Sequence, residues 1–168
     1  MNTSLHNEKF GEILDISMRA ALAVAESCHD IEWYGVGCVV TDSLGVIVAT
    51  GYTGEILDEK GGFRHAEDVA LSKVVASGID LSAGDFLLFS TLEPCSVRAS
   101  GKTPCVKRII QSGIRHVIYG AKEPFDPALN VVCNGDQELR DRGIEVTWLR
   151  AFEPECLKSV VSKRKVGA

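Results

Sequence analysis

The stretch FLLFSTLEPC, residues 86–95, joins a continuous apolar run to a Glu-Pro-Cys sequence. A short apolar run of this kind is typical of a strand that is covered on both faces of a sheet, so it predicts a central strand over 86–90. Cys95 follows just beyond the carboxyl end of that strand. Side chains at such points, where secondary-structure elements meet, often line clefts.

Upstream of this strand, the sequence predicts a helix, a hairpin and a loop. Apolar residues recur at three- and four-residue spacing over 9–27, which indicates an amphipathic helix. Two β-branched runs, 37–41 and 46–50, flank a short polar loop and predict a hairpin. Residues 51–64 contain several glycines without any periodicity and predict a loop.

Two further helices are predicted to begin at residues that could carry chemistry. Helical spacing from His65 onward places His65 and Glu67 in a first turn, beside unpaired backbone N–H groups. Pro104 and Cys105 open another helix, because proline is tolerated at a first helical position, and Gly113 closes it.

The remaining elements alternate between strands and helices. They are a strand at 116–119, a loop with Pro124 and Pro127, a helix at 136–142, a strand at 144–148 and a final helix from Glu155. Such alternation favours parallel pairing of the last strands with right-handed crossovers. We therefore predict an α/β fold in which a mixed sheet of about five strands lies between helical layers, a three-layer α/β/α sandwich.

Length, composition and charge limit the classes of function. The chain has 168 residues, 45% hydrophobic and 24% charged, which predicts one domain over 1–168. Its first residues are too polar for a signal peptide, and no apolar run approaches the roughly 20 residues of a membrane helix, so we expect a cytoplasmic protein without a membrane partner. A net charge of −5 without a clustered basic surface argues against broad nucleic-acid binding.

One histidine and two cysteines form a candidate zinc site. His65, Cys95 and Cys105 supply one imidazole and two thiolates, and a zinc ion held by three protein ligands keeps a fourth position for water. Glu67, two residues after His65, can move that water's protons. Zinc nucleobase deaminases have the signature H-x-E…P-C-x-x-C, but here nine residues instead of two separate the cysteines.

Packing and structural metal binding are the alternative roles for these residues. A lone histidine is more often a surface or core residue than a ligand, but packing thiols would not explain why Cys95 and Cys105 each follow a proline. A structural zinc site needs a fourth ligand, and neither His116 nor Cys133 has a typical short spacing from the others. No role is predicted for Cys28, Cys38, Cys133 and Cys156, which we expect to be reduced thiols.

Several charged residues flank the candidate ligands. Glu93 precedes a Pro-Cys at the end of a buried strand, where we expect it to accept backbone hydrogen bonds that hold the loop. Arg64, Arg98 and Lys102 are by default exposed cations, but all three lie close in sequence to the ligands, where a substrate phosphate could meet them.

His65-Ala66-Glu67 with Thr91-Leu92-Glu93-Pro94-Cys95 resembles the cytidine deaminase superfamily. The long segment between the cysteines is similar to that of riboflavin-pathway pyrimidine deaminases, and 49–55, 95–101 and 153–156 most resemble the fungal type. The resemblance implies a cytidine deaminase-like fold, zinc as cofactor, and deamination of a diaminopyrimidinone that bears a phosphorylated ribityl chain. It also implies that Lys102 and Thr103 touch the substrate phosphate, and that the protein is a homodimer.

The function classes that remain differ in substrate. The leading hypothesis is a deaminase of a phosphorylated pyrimidine of riboflavin synthesis, and the alternative is a deaminase of another free nucleoside, nucleotide or nucleoside antibiotic. A nucleic-acid-editing deaminase is disfavoured by the acidic balance, and a non-catalytic zinc module by the intact Glu67. The motif determines the reaction type and not the ring.

Overall fold

The structure is a computed structural model that describes residues 3–28, 34–98, 100–125 and 132–162. Five helices and five strands are found in these ranges. The helices are α1 Thr3–Ala25, α2 Ala66–Ala76, α3 Cys105–Ser112, α4 Gly135–Asp141 and α5 Glu153–Ser162. The strands are β1 Gly37–Asp42, β2 Ile47–Tyr52, β3 Phe86–Leu92, β4 His116–Ala121 and β5 Glu145–Trp148.

The strands form one mixed sheet in the order β2-β1-β3-β4-β5. Strand β1 pairs antiparallel with β2 and with β3, whereas β3, β4 and β5 pair in parallel. This arrangement confirms the predicted hairpin and the predicted parallel pairing of the last strands. Since β3 and β4 are parallel neighbours, their carboxyl ends lie at the same edge of the sheet.

Helices cover the sheet in two layers. Helix α1 packs on β1 and β3 and also against α5, while α2 packs on β1 and β2 and against α3. At Gly37 of β1, an added Cβ would lie 2.0 Å from the carbonyl oxygen of Ala21, so α1 rests directly on the strand backbone. The predicted three-layer α/β/α sandwich is confirmed.

Strand β3 runs through the middle of the core, as its apolar sequence predicts. Residues 87–92 are all buried, and Phe89 is fully buried. Burial of such a side chain contributes about 1.5–3 kcal/mol relative to exposure. The strand therefore gives a rigid support to the segment that follows Leu92.

Some element boundaries differ from the predictions. Helix α1 begins at Thr3, six residues before the predicted start, and β3 continues to Leu92. His65 is not in the first turn of α2, because its backbone is extended (φ −73°, ψ 156°) and it occupies the N-cap position before Ala66. The loop predicted at 51–64 begins after Tyr52. Pro127, predicted in a loop, lies outside the described residues.

Gly113 ends α3 as the sequence predicts, with φ 83° in the left-handed region that favours glycine. Among the described residues, no helix combines the length and apolar character that crossing a membrane would require.

Candidate active site

Three secondary-structure boundaries bring the predicted zinc ligands together. His65 caps α2, Cys95 follows β3, and Cys105 is the first residue of α3. The Nδ1 atom of His65 lies 3.5 Å from Sγ of Cys95 and 3.3 Å from Sγ of Cys105. All three ligand atoms lie within 4.8 Å of one another.

The spacing of these atoms fits a tetrahedral zinc ion. With Zn–N of about 2.1 Å and Zn–S of about 2.3 Å, tetrahedral geometry requires N···S distances of roughly 3.6 Å. The observed distances of 3.5 and 3.3 Å are close to this value. A mixed imidazole and thiolate donor set also suits zinc. His65, Cys95 and Cys105 therefore fit the zinc ion that the sequence pattern predicts.

The pKa values of Cys95 and Cys105 are shifted in opposite directions. The pKa of Cys95 is held well below its usual value, because Cys105 hydrogen bonds to it and His65 lies beside it. The pKa of Cys105 is raised well above its usual value by the Cys95 sulfur and by burial. For His65, burial lowers the pKa, but the hydrogen bond and charge of Cys95 outweigh it, so the net shift is upward. Thiolate character is thus already favoured at Cys95.

Helix α4 holds the segment that carries Cys95 in place. Glu93, buried at 3% exposure, accepts the N–H of Asp136 at Oε1 over 2.9 Å, the type of backbone bond predicted for it. An added Cβ at Gly135 would lie 1.9 Å from the carbonyl oxygen of Pro94, so the start of α4 packs directly on the Glu-Pro-Cys backbone. This support fixes the direction in which Cys95 leaves β3.

Glu67 lies beside the ligands without belonging to them. It is 3% exposed, and its Oε1 accepts a hydrogen bond from Ser90 Oγ at 3.3 Å. Its Oε2 lies 3.4 Å from Sγ of Cys105. Burial raises the pKa of Glu67, Cys95 adds to this effect, and His65 opposes it. A buried carboxyl group with a raised pKa can both accept and release a proton, as general acid–base chemistry requires.

A cavity of about 260 Å³ opens in front of Glu67, His65 and Cys95. Apolar and aromatic side chains form part of its wall, including Tyr34, Val36, Phe63 and Leu92. A cavity of this size suits a single heterocyclic ring. The walls thus combine apolar side chains with a few charged groups.

The four predicted substrate residues fall into two pairs. Lys102 and Arg98 line the cavity, and Arg98 donates from Nη2 to the carbonyl oxygen of Phe63 at 3.4 Å. Thr103 is exposed and is not part of the cavity wall. Arg64 does not line the cavity either, and its guanidinium pairs with Asp68 through two bonds of 2.9 Å.

Sequence reasoning did not single out several residues of the site, among them Tyr34, Glu123 and Asp58. Tyr34 and Glu123 line the cavity, and Asp58 forms an ion pair with Lys102. Burial raises the pKa of Glu123 to about 7. A usable signal existed only for Glu123, because it comes two residues after β4, and the carboxyl ends of neighbouring parallel strands share one edge.

The chain belongs to the cytidine and deoxycytidylate deaminase family, since residues 12–121 match the family's zinc-binding region. This confirms the predicted superfamily. A diaminohydroxyphosphoribosylamino-pyrimidine deaminase of Schizosaccharomyces pombe is 33% identical over 145 residues, which are 86% of this chain and 34% of that protein. The chain spans about a third of the length of this relative.

Solved structures agree with the family assignment. The Rib2 deaminase of Aspergillus oryzae is 26% identical with a TM-score of 0.73, and the match covers 90% of this chain and 92% of that one. That deaminase has also been solved in complex with DARIPP. A diaminohydroxyphosphoribosylaminopyrimidine deaminase/5-amino-6-(5-phosphoribosylamino)uracil reductase of Thermotoga maritima is 29% identical with a TM-score of 0.72, covering 89% of this chain and 40% of that one.

Proposed function

We propose that this protein is a zinc-dependent hydrolytic deaminase of a phosphorylated ribitylamino-pyrimidinone intermediate of riboflavin biosynthesis, within one deaminase domain. The observation that carries the proposal is the convergence of one imidazole nitrogen and two sulfurs beside the buried carboxylate of Glu67. The similarity to riboflavin-pathway deaminases supports the choice of substrate.

His65, Cys95 and Cys105 would hold the zinc ion. When bound, zinc lowers the pKa of a water molecule to about 7 and so supplies a strong nucleophile at neutral pH. The reaction adds water to the ring carbon that bears the amine, and ammonia leaves. In the proposed substrate this carbon is C2, and the product is a uracil derivative.

Glu67 would move the protons of this reaction. Its Oε1 is engaged by Ser90, which leaves Oε2, on the side of Cys105, as the atom that takes the proton of the attacking water. The same oxygen then passes this proton to the ring nitrogen. In a second transfer it takes the proton of the newly added hydroxyl group and delivers it to the departing amine, so that a ring carbonyl forms as ammonia leaves. Burial of Glu67 supports this role because it raises the pKa of the carboxyl group, and a raised pKa favours the protonated form that must exist between the two transfers.

Lys102 and Arg98 would bind the substrate phosphate. Both line the same cavity as Glu67, and a lysine or arginine forms strong charge-assisted bonds with phosphate oxygens. Arg64 is engaged by Asp68 and Thr103 lies outside the cavity wall, so we assign the phosphate contact to the first two residues.

Measuring ammonia release tests the substrate and the reaction together. The purified zinc-loaded protein is assayed with the phosphorylated pyrimidinone, its dephosphorylated form, cytidine, deoxycytidylate and single-stranded DNA. We expect the highest kcat/KM for the phosphorylated pyrimidinone. Preference for a free nucleoside or nucleotide would support the alternative substrate, and activity on DNA would indicate an editing enzyme. Ammonia release from none of them would contradict the proposal.

We also propose that the protein is a cytoplasmic homodimer. The six cysteines all lie within the described residues and none of them forms a disulfide, as is usual in a reducing compartment. Large apolar side chains are exposed near the β1–β2 hairpin, where Leu44 is 80% and Val46 is 59% exposed. Exposed apolar side chains of this kind support an interface between two copies.

A further inference from the structure

Two loops meet at the rim of the cavity through an ion pair. Asp58 belongs to a turn over 57–63, which a bridge between Leu57 and Phe63 closes. Its partner, Lys102, lies 44 residues away, in the segment between the two cysteines. The side chains are 23% and 35% exposed, so the pair is partly screened from water.

Asp58 is the fixed partner of this pair. Its Oδ1 accepts the N–H groups of Lys60 and Gly62, each at 2.9 Å, and Oδ2 is left to Lys102. The N–H of Asp58 in turn donates to the carbonyl oxygen of Gly62 at 2.9 Å. Lys102, by contrast, has a four-carbon stem and three donors on its ammonium group. When an anion arrives, the lysine is the partner that can move.

Gly62 leaves the space in which the pair forms. An added Cβ at this position would lie 2.6 Å from Nζ of Lys102 and 3.0 Å from Oδ2 of Asp58. Gly62 is not among the glycines with positive φ, so its backbone conformation is open to other residues. Space for the ion pair, and not backbone freedom, is therefore what the glycine provides.

We infer that Asp58 is a specificity-determining residue that competes with the anionic group of the substrate for Lys102. This inference rests on the proposed function, in which Lys102 meets a phosphate. Lys102 lines the cavity and Asp58 does not, so the carboxylate acts on the bound ligand through the lysine. An anion can bind Lys102 only if it shares the ammonium group with Asp58 or displaces Asp58 from it.

Asp58 has two opposing influences on anion binding, namely charge competition for Lys102 and restraint of the lysine side chain. If the lysine is shared, a carboxylate and a phosphate dianion repel each other across one ammonium group, and if it is taken, the ion pair is lost. Asp58 also restrains the lysine, which lowers the entropy cost of binding. In a partly buried site the charge term for a dianion exceeds the rotamer term, so Asp58 weakens anion binding.

This competition makes a phosphate alone a poor ligand. Inorganic phosphate or an unrelated phosphate ester has only the lysine to gain, against the carboxylate. A substrate that also places its ring in the cavity has further contacts to offset the cost. Asp58 thus favours ligands that combine the ring and the anion over ligands that carry the anion alone.

Calorimetric titration of inorganic phosphate at fixed ionic strength tests the inference. The zinc-loaded wild type is compared with Asp58→Asn, Lys102→Ala and the double variant. We expect Asp58→Asn to bind phosphate about five- to tenfold more tightly, and this gain to fall below about twofold when Lys102 is alanine. Asparagine keeps the Oδ1 acceptor of the turn, and Asp58→Ser is a second uncharged variant should asparagine perturb the fold.

Glu59→Gln is the matched control, because it removes the same charge from an exposed position of the same turn. It should change phosphate affinity by less than about twofold. Unchanged or weaker phosphate binding in Asp58→Asn would overturn the inference, as would an equal gain in Glu59→Gln or no saturable phosphate binding in any variant. Ammonia release is measured on the same samples, so a wild type inactive on all pyrimidines would contradict the proposed function separately.

Discussion

Arg108 of α3 reaches Asp68 of α2, with Nη1 of the arginine 3.1 Å from Oδ1 of the aspartate. Asp68 is only 4% exposed and also pairs with Arg64. The carboxylate therefore joins two helices whose first turns lie beside His65 and at Cys105. This ion pair, which lies outside the cavity, therefore ties together the two helices that follow His65 and begin at Cys105.

Removal of the Asp68 charge should destabilise the fold and loosen the zinc site. In Asp68→Asn, two arginines lose a buried partner, so we expect the free energy of unfolding to fall by about 1–3 kcal/mol. We also expect zinc affinity to fall by roughly tenfold, as for other residues that support ligands. Urea denaturation and competition with a chelator measure the two effects.

The control is Asp15→Asn, which breaks an exposed pair with Arg19 on α1. Its effect on stability should stay below about 0.5 kcal/mol. Equal losses in the two variants would show that the bridge between α2 and α3 has no special role.

The contribution of Asp68 to stability should vanish in acid. Burial raises the pKa of Asp68, but the Arg64 hydrogen bond and the charges of Arg108 and Arg64 outweigh it and lower the pKa below the ordinary 3.8. A lowered folded-state pKa stabilises the protein above the unfolded-state value, and this stabilisation is lost as pH falls through the folded-state value. The difference in unfolding free energy between wild type and Asp68→Asn should be largest near neutral pH and should shrink below about pH 4. A constant difference would contradict this assignment.

Glu67→Gln should keep the fold and the zinc while losing deamination. The amide has nearly the same shape and can still accept a hydrogen bond from Ser90, but it cannot carry a proton. Positioned acid–base groups contribute a factor of about 10²–10⁴ in rate, so kcat should fall by at least about 100-fold. Ammonia release, together with zinc content and melting temperature, checks the prediction. A loss of only a few-fold would argue against proton transfer by Glu67.

Cys105→Ala should abolish stable zinc binding. The substitution removes one of three donors, and two donors hold zinc poorly. Elemental analysis of the purified variant should show well under one zinc per chain, whereas the wild type holds about one. Cys156→Ala is the control, since Cys156 is buried under Gly120 away from the site and should leave the zinc content unchanged. A full zinc complement in Cys105→Ala would refute the ligand assignment.

Lys102→Ala should raise KM for the phosphorylated substrate about tenfold and leave KM for the dephosphorylated form within about twofold. The reason is that a partly buried charge-assisted contact contributes about 1.5 kcal/mol or more. Lys107→Ala, an exposed lysine of α3, serves as the control and should affect neither substrate. Equal changes for the two substrates would favour the free-nucleoside alternative.

Light scattering should report a dimer at micromolar concentration. Replacement of Leu44 and Val46 by serine removes the most exposed apolar side chains of the hairpin and should shift the protein toward the monomer. A monomeric wild type with full activity would contradict the proposed dimer.

The ligands could be predicted from sequence because local signals place each of them. His65 precedes a helical run, Cys95 ends a buried strand, and Pro104 marks the helix that Cys105 begins. The pairing of Asp58 with Lys102 left no such signal, because it joins two irregular loops whose approach depends on the folded sheet. Arg64 is predicted to contact the substrate, but its guanidinium pairs with Asp68, four residues further on, in the first turn of α2. The sequence also predicts His65 inside the helix, whereas His65 is its N-cap residue. Sequence patterns locate the end of a helix only to within one or two residues.

The nine residues between Cys95 and Cys105 carry both Arg98 and Lys102. Their ends are anchored, one by a central strand and the other by a helix, so the loop can change its side chains without moving its attachment points. The segment between Cys95 and Cys105 can therefore be exchanged as a unit. Transplanting the equivalent loop of a deaminase with another substrate should alter which molecules are accepted while the metal-binding framework stays in place. In such a scaffold, new substrate preferences can evolve through a short stretch of chain without rebuilding the reaction centre.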